Sequence, residues 1–177
     1  ARAQALAGFS VFHFDGYAAA LPDPRNRADL DGDGDADTAD LDALTGWSTS
    51  LTLHKGQGNG TFTPLTTVGT GNSIDSGVLG DVNGDGRLDL VAAGTKFTCN
   101  SQGYYGCYDG EYEGQISVLL GNGAGGFSLP IASSLGTDFN GSFADVALAN
   151  ITGDSLPELV TIENSTGLAI VASNDGN

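Results

Sequence analysis

The stretch that decides the fold is Asp81-Val82-Asn83-Gly84-Asp85-Gly86-Arg87-Leu88-Asp89, which runs directly into Leu90-Val91-Ala92-Ala93. Acidic or amide side chains stand at its first, third, fifth and ninth positions, and glycine stands at the sixth. A hard cation such as Ca²⁺ takes about six to eight oxygen ligands, and carboxylates at alternate positions of a sharp bend supply them. Glycine permits that bend. The spacing therefore predicts a calcium loop followed by an apolar strand; the alternative is a solvated turn between two strands.

The same pattern occurs twice more in the chain. It opens at Asp29 and, with a weaker set of oxygen donors, at Asn150. Each copy is followed by apolar segments, and the first two lead to a glycine-rich turn that ends in an aromatic residue, Gly56–Phe62 and Gly121–Phe127. The repeat predicts three units of about 28–68, 69–135 and 136–177, preceded by an N-terminal strand and linker in residues 1–27.

Composition favours an all-β chain. The 177 residues include 28 glycines and 5 prolines, and the apolar segments between them are short, as in proteins built from short strands and tight turns. Apolar strands joined by glycine-rich turns at a regular period are typical of β-propeller blades. We therefore expect about three propeller-type blades with calcium loops.

The acidic loops and the later Gly-Asn turns resemble the FG-GAP/VCBS repeat family, which occurs in integrin α-chains and in secreted proteins. The resemblance extends over roughly residues 28–177 and is closest in the second unit, where both the loop and the turn match. It implies β-propeller blades, Ca²⁺ in the blade loops and a non-enzymatic role in adhesion or scaffolding. Ser155 departs from the pattern, because it stands where the sixth-position glycine is expected.

The loop patterns predict two calcium sites and a third, weaker one. The expected ligands of the first site are Asp29, Asp31, Asp33, Asp35 and either Asp37 or Asp40. Those of the second are Asp81, Asn83, Asp85, Arg87 through its carbonyl, and Asp89. The third site has Asn150, Thr152, Asp154 and Glu158, and its smaller number of acids predicts weaker binding.

The first loop leaves two continuations open. Asp40 stands at the twelfth position of a loop that starts at Asp29, where EF-hand loops carry their last acid. Leu41 and Leu44 have helical spacing, so the loop also resembles that of a dockerin module. It therefore leads either into a short helix, with Asp40 as its last ligand, or into a strand, with Asp37 as its last ligand.

The number of repeats predicts an incomplete ring. Propellers close with about four to eight blades, and the third unit ends partway through its Gly-Asn turn. Residues 9–14 alternate large apolar with smaller or polar residues, as a half-buried strand does, but belong to no unit. This strand could close onto the last unit or insert into the next copy head to tail; alternatively, the chain is a fragment of a larger propeller.

Cys99 and Cys107 flank a loop that contains most of the tyrosines. Their spacing allows a small disulfide, which would indicate an oxidising compartment; free thiols are the alternative. The loop interrupts the second unit and should project from it. Its tyrosines either stack on sugar rings or dock a partner, or they pack over the loop's own small core. They are Tyr104, Tyr105, Tyr108 and Tyr112.

Charge, motifs and chain start narrow the class of protein. A net charge of −16 argues against nucleic acid binding, and no apolar run is long enough to span a bilayer. No catalytic motif occurs, so we expect no enzyme. The chain starts at Ala1 and has no methionine, as expected after removal of a secretory signal. Glycosylation sequons place candidate glycans at Asn59, Asn140 and Asn164.

These observations predict a calcium-stabilised extracellular structural or adhesion protein. Its partners would be copies of itself or another extracellular protein, and strand complementation would join the copies into a fibre. A carbohydrate-binding lectin of the propeller type is the second hypothesis.

Overall fold

The computed structural model describes residues 10–12, 27–35, 37–40, 49–59, 61–104, 106–136, 138 and 141–176. These residues contain twelve strands and no helix, which confirms the predicted all-β class for the described part of the chain. The strands are β1 Ser10–Phe12, β2 Arg27–Ala28, β3 Asp37–Asp40, β4 Ser50–Gly56, β5 Phe62–Gly69, β6 Ser73–Gly80, β7 Asp89–Gly103, β8 Gly106–Leu119, β9 Ile131–Gly136, β10 Phe143–Ala149, β11 Glu158–Glu163 and β12 Ala169–Ala172.

The strands form three antiparallel sheets that follow the chain. The first has the order β2-β3-β4-β5, the second β1-β6-β7-β8-β9, and the third β10-β11-β12. Apart from β1, each sheet is a meander of consecutive strands, as expected when short turns join neighbouring strands. Over the described residues the three sheets do not close into a ring.

Residues 10–12 pair antiparallel with β6, with Val11 opposite Val78. The sequence left open whether this strand joins the last unit, another copy or a larger protein. In the structure it lies at the edge of the second sheet and not on the third. The third sheet consequently has three strands, and β12 lies at its edge.

One hydrophobic core connects the sheets. It contains Leu51 and Leu53 from β4, Leu90 and Val91 from β7, and Leu148 from β10, all at most 5% exposed. Burial of a side chain of this size stabilises a fold by roughly 1.5–3 kcal/mol. The sheets are therefore held together by a shared interior and not by their connecting segments alone.

The second and third sheets approach closely along β6 and β10. A Cβ placed on Gly80 would lie 2.5 Å from Leu148 Cδ1, so glycine is needed for this approach. At the other end of β6, Asp75 Oδ2 accepts a hydrogen bond from the N–H of Phe143 at 3.1 Å. Burial raises the pKa of Asp75, although this bond acts in the opposite direction.

Strands β7 and β8 extend far beyond their neighbours. Their inner halves are buried, whereas residues 96–98, 100–104 and 106–112 are exposed. This long hairpin projects from the second sheet, as predicted for the cysteine-containing loop. The disulfide between Cys99 and Cys107 joins its two strands, with the Cα atoms 5.8 Å apart.

Candidate functional site

The first loop, Asp29–Asp37, folds around the carboxylate of its first residue. Asp29 Oδ1 accepts the N–H groups of Gly32 and Asp33 at 2.7 and 3.1 Å, and Oδ2 accepts the N–H of Gly34 at 3.0 Å. Both glycines have positive φ angles, 78° and 90°, which side-chain-bearing residues rarely adopt. The loop is therefore closed by hydrogen bonds within itself.

The second loop, Asp81–Asp89, repeats this arrangement. Asp81 Oδ1 accepts the N–H groups of Gly84 and Asp85 at 2.7 and 3.1 Å, and Oδ2 accepts the N–H of Gly86 at 2.8 Å. The glycines again have positive φ, 76° and 84°. The sequence indicated the bend at the sixth position, but the glycine at the fourth position is also required.

The third and fifth side chains support the chain two residues ahead. In the first loop, Asp31 Oδ1 accepts the N–H of Asp33, and Asp33 Oδ1 accepts the N–H of Asp35. In the second loop the corresponding acceptors are Asn83 and Asp85, with distances of 3.0 and 2.9 Å. Asp and Asn favour such local turns, so alternate side-chain oxygens stay on the loop.

The ninth acid of the first loop has a different task. Asp37 is fully buried; its Oδ2 accepts the N–H of Leu30, the second loop residue, at 2.8 Å. Its Oδ1 accepts the N–H of Gly56, the first residue of the turn after β4, at 2.8 Å. One carboxylate thus fastens the loop to a turn that is distant in sequence.

Asp89 holds the second loop in the same way. It is fully buried and accepts the N–H of Val82 at 3.0 Å and that of Gly121 at 2.9 Å. Burial raises the pKa of Asp89, while these hydrogen bonds lower it. Sequence spacing identified both ninth-position acids, but it could not identify their long-range partners.

Glu158 is the ninth residue of the third loop, Asn150–Glu158, and is also fully buried. Its Oε2 accepts the N–H of Ile151 at 2.6 Å, and its Oε1 accepts the hydroxyl of Thr152 at 2.9 Å. Hydrogen bonding, with the N–H of Ile151 as the largest cause, lowers the pKa of Glu158. The longer side chain keeps the bond to the second loop residue.

The other donors of the third loop bond mainly to the loop itself. Asn150 Oδ1 accepts the N–H of Gly153 at 2.7 Å, and its side-chain amide donates to the carbonyl of Asp154. Asp154 Oδ1 accepts the N–H of Leu156 at 2.9 Å. Where the first two loops have a carboxylate at the first position, this loop therefore has an amide that also donates.

Within the described part of the chain, three carboxylates converge only in the first loop. Oxygens of Asp29, Asp31 and Asp37 lie within 4.8 Å of one another. This oxygen-only donor set fits a hard cation such as Ca²⁺. The second loop has an amide at its third position, so it offers one acid fewer at the corresponding place.

Lys55, in β4, brings a positive charge to the first loop. Its ammonium group contacts the carboxylate of Asp31 and lies 2.7 Å from Asp33 Oδ2. These contacts raise the pKa of Lys55 and lower the pKa of Asp33. The sequence analysis did not identify this residue, because it follows the loop by many positions and matches no ligand pattern.

The first loop continues as a strand and not as a helix. Asp37–Asp40 form β3, with Ala39 opposite Leu53 of β4. Of the two continuations considered, the structure therefore has the propeller-type one, and Asp40 lies within this strand. Arg87 lies in the second loop, with its guanidinium 3.5 Å from Asp85 Oδ2.

The tyrosines differ in their surroundings. Tyr104 and Tyr108 are 94% and 68% exposed on the projecting hairpin. Tyr112 instead packs against Phe97, with ring centroids 4.9 Å apart. Tyr105 lies outside the described residues. The hairpin therefore presents aromatic surface near its tip and a small packed pair closer to the sheet.

The three candidate glycan sites also have different environments. Asn59 Oδ1 accepts both the N–H and the hydroxyl of Thr61, at 3.0 and 2.6 Å. Asn164 is exposed, and its amide donates to Ser142 Oγ at 3.0 Å. Asn140 lies outside the described residues. Glycosylation at each of these positions stays a prediction.

Residues 29–92 match the FG-GAP-like repeat family. This segment is an FG-GAP-like repeat. It contains the first two loops and the strand that begins after each, and confirms the resemblance there; the third loop lies beyond it. Comparison with curated proteins and with solved structures gave no match.

Proposed function

We propose that this protein is a calcium-stabilised extracellular structural or adhesion protein without enzymatic activity. The observation that carries the proposal is the repeated hydrogen-bond plan of the FG-GAP-like loops, in which alternate oxygens line a loop and a buried ninth acid ties it to the following turn. The disulfide of the hairpin supports an oxidising compartment. No helix in the described residues could cross a membrane.

The first loop would hold an ion through the oxygens of Asp29, Asp31 and Asp33, with the Asp35 carbonyl and Asp37 completing the set. Lys55 would have to release Asp31 and Asp33, because its ammonium group contacts the carboxylates that an ion needs. The second loop has no lysine at the matching place; Leu120 precedes Gly121 there as Lys55 precedes Gly56. We therefore expect the second loop to bind calcium without this competition.

The proposed role of the ion is to offset repulsion. The chain carries 22 acidic and 6 basic residues, and its acids are concentrated in these loops. A bound divalent cation offsets that local charge, and a ligand that binds only the folded chain raises its stability by mass action. Calcium would thus hold the loops in the geometry that the ninth acids connect to the turns.

Thermal unfolding with and without a chelator tests the proposal. Calcium should raise the melting temperature, and Asp81→Asn should reduce that rise. Asp109→Asn is the matched control, since Asp109 is an exposed acid on the hairpin and outside every loop. A melting temperature that chelator leaves unchanged would exclude calcium as the stabilising ion.

We further propose that copies assemble head to tail. The third sheet ends at β12, whose outer edge is available for strand addition. The N-terminal strand of another copy would fill this edge after leaving β6, where residues 10–12 pair in the single chain. Gel filtration and negative-stain imaging would reveal fibres; a strictly monomeric protein would favour the alternative that the chain is a fragment of a larger propeller.

A lectin role is the second candidate, and the exposed Tyr104 and Tyr108 favour it. Aromatic rings on a disulfide-closed hairpin can stack on sugar rings at little cost in conformational entropy. A glycan array would test this with the wild type and with Tyr104→Ala/Tyr108→Ala. The variant Tyr112→Ala is a control, because Tyr112 packs on Phe97; binding that survives the double change would count against the lectin.

A further inference from the structure

The second residue of each loop makes the same internal contact. Leu30, Val82 and Ile151 each donate their N–H to the ninth acid of their own loop, at 2.8, 3.0 and 2.6 Å. This position therefore has the same backbone placement in all three units. Any difference between the units at this residue must come from what lies on its outer side.

In the first two units, the next unit lies on that outer side. The carbonyl of Leu30 accepts the N–H of Gly125 from the second unit's turn at 2.9 Å. The carbonyl of Val82 accepts the side-chain amide of Asn174, from the end of the third unit, at 2.7 Å. Leu30 and Val82 are consequently only 5% and 8% exposed. Each loop is thus the seat for the turn of the unit that follows.

Ile151 occupies the same position in the third unit, but it is 55% exposed. The sheet beside it is open too. In the register of β10, β11 and β12, Ala147, Val160 and Val171 lie side by side, and Ile162 pairs with Ala169. Paired residues share a face, and alternate residues of a strand return to it, so these five side chains form one apolar surface.

The corresponding surface of the second sheet is covered. Val91 and Ala93 follow Asp89 as Val160 and Ile162 follow Glu158, and they are 2% and 0% exposed. Ile162, in contrast, is 45% exposed. The third sheet therefore presents, uncovered, the face on which the second sheet receives its neighbour.

The first unit carries the matching piece. Gly56 and Gly121 each donate to the ninth acid of their unit, so Gln57 in the first turn corresponds to Asn122 in the second. Gln57, Gly58 and Asn59 are exposed and uncharged. The chain thus ends in a loop without a turn and begins with a turn without a loop.

We infer that the Ile151–Ile162 face of one copy docks the first unit of a second copy, with the turn around Gln57 lying against Ile151. The contact continues the stacking seen between the first and second units, and it is heterologous, so it does not close on itself. Both surfaces are uncharged at the contact, which matters for two chains of −16 each. This inference rests on the proposed head-to-tail assembly and names its surface.

Disulfide trapping tests the contact in the full chain. The chain's two cysteines are already paired, so Gln57→Cys and Ile151→Cys each introduce one free thiol. Mixed and oxidised, the two variants should give a heterodimer at about tenfold the yield of a mixture containing Ser133→Cys instead of Gln57→Cys, because docking raises the local thiol concentration. Ser133 is exposed on β9 and away from the proposed contact.

Two outcomes would overturn the inference. One is a heterodimer yield no higher than that of the Ser133→Cys control; the other is a predominant Ile151→Cys homodimer, which would mean that the two apolar faces meet each other. Ile162→Asp added to the Ile151→Cys chain should abolish the heterodimer, whereas Glu111→Asp should not. Circular dichroism of each variant confirms that it is folded.

The result can be separated from the proposed function. Val11→Pro removes the N–H that strand addition needs, so trapping that persists in this variant supports docking independently of strand complementation. The calcium proposal is read from the chelator experiment alone. A fibre that forms without the Gln57–Ile151 adduct would leave assembly standing and overturn the docking surface.

Discussion

The carbonyl oxygen of Leu30 lies 2.9 Å from the backbone nitrogen of Gly125, and this hydrogen bond joins the first loop to the turn of the second unit. Gly125 has a φ of +75°, and a Cβ there would lie 2.5 Å from Leu65 Cδ2 and 3.4 Å from Asp31 Cβ. The contact between units therefore depends on a residue without a side chain.

Gly125→Ala should lower stability through both backbone strain and crowding. Gly167 is the matched control, since its φ is +70° but a Cβ there would meet nothing within 4 Å. We expect Gly125→Ala to cost about 1–3 kcal/mol more than Gly167→Ala, the usual cost of an overpacked contact. Urea denaturation measures both; equal losses would mean that Leu65 moves aside freely.

Asp89→Ala should destabilise the second unit strongly, even without calcium. It leaves the N–H groups of Val82 and Gly121 without their acceptor, at about 1–3 kcal/mol for each buried donor. Asp89→Asn should fall between the wild type and Asp89→Ala, because it keeps one acceptor oxygen. Denaturation in excess chelator is the measurement; a loss seen only with calcium would show that Asp89 acts as a ligand alone.

Lys55→Met should make the chain more dependent on calcium. Without an ion, the acids of the first loop lose the ammonium group that contacts Asp31 and Asp33, so the melting temperature should fall. With calcium, the ion no longer competes with that group, so affinity should rise several-fold by calorimetry. Lys96→Met, on an exposed strand residue, controls for the change in net charge. Unchanged affinity would indicate that Lys55 does not compete.

Glu163 should make stability depend on acid. Hydrogen bonds from the hydroxyls of Ser165 and Thr166, together with their N–H groups, lower its pKa to about 2. A folded-state pKa below the usual value of 4.5 means that the ionised group stabilises the fold above about pH 4.5. That contribution should be lost progressively as the pH falls from about 4.5 to 2.

The measurement is the melting temperature of the wild type and of Glu163→Gln across that pH range. Their difference should be largest near neutral pH and should shrink as the carboxylate of Glu163 becomes protonated. Glu111→Gln neutralises an exposed carboxylate on the hairpin and so controls for net charge. A difference that stays constant down to pH 2 would contradict the assignment.

The local features of this protein were predictable from its sequence. The loops depend on oxygen-bearing side chains and glycines within nine positions, and the disulfide closes a hairpin between Cys99 and Cys107. Strands follow from apolar alternation. These signals are short in range, and the folded chain uses them where the sequence places them.

Long-range contacts were not predictable in the same way. Nothing near Asp89 indicates that its second oxygen bonds to Gly121, and nothing near Lys55 indicates its contact with Asp31. The pairing of residues 10–12 with β6 depends on competition between sheet edges, which local patterns do not rank. Likewise, alternation predicts that Ile162 lies in a strand, but not whether a neighbouring sheet covers it.

The bond between Cys99 and Cys107 has a consequence for the survival of the hairpin tip. A protease that cuts the chain between these residues leaves both new ends attached to the same molecule, because the two sulfurs remain bonded. The nicked chain would run at full length on a gel without reductant and as two pieces with it. The tip that bears Tyr104 could thus be cleaved without being shed.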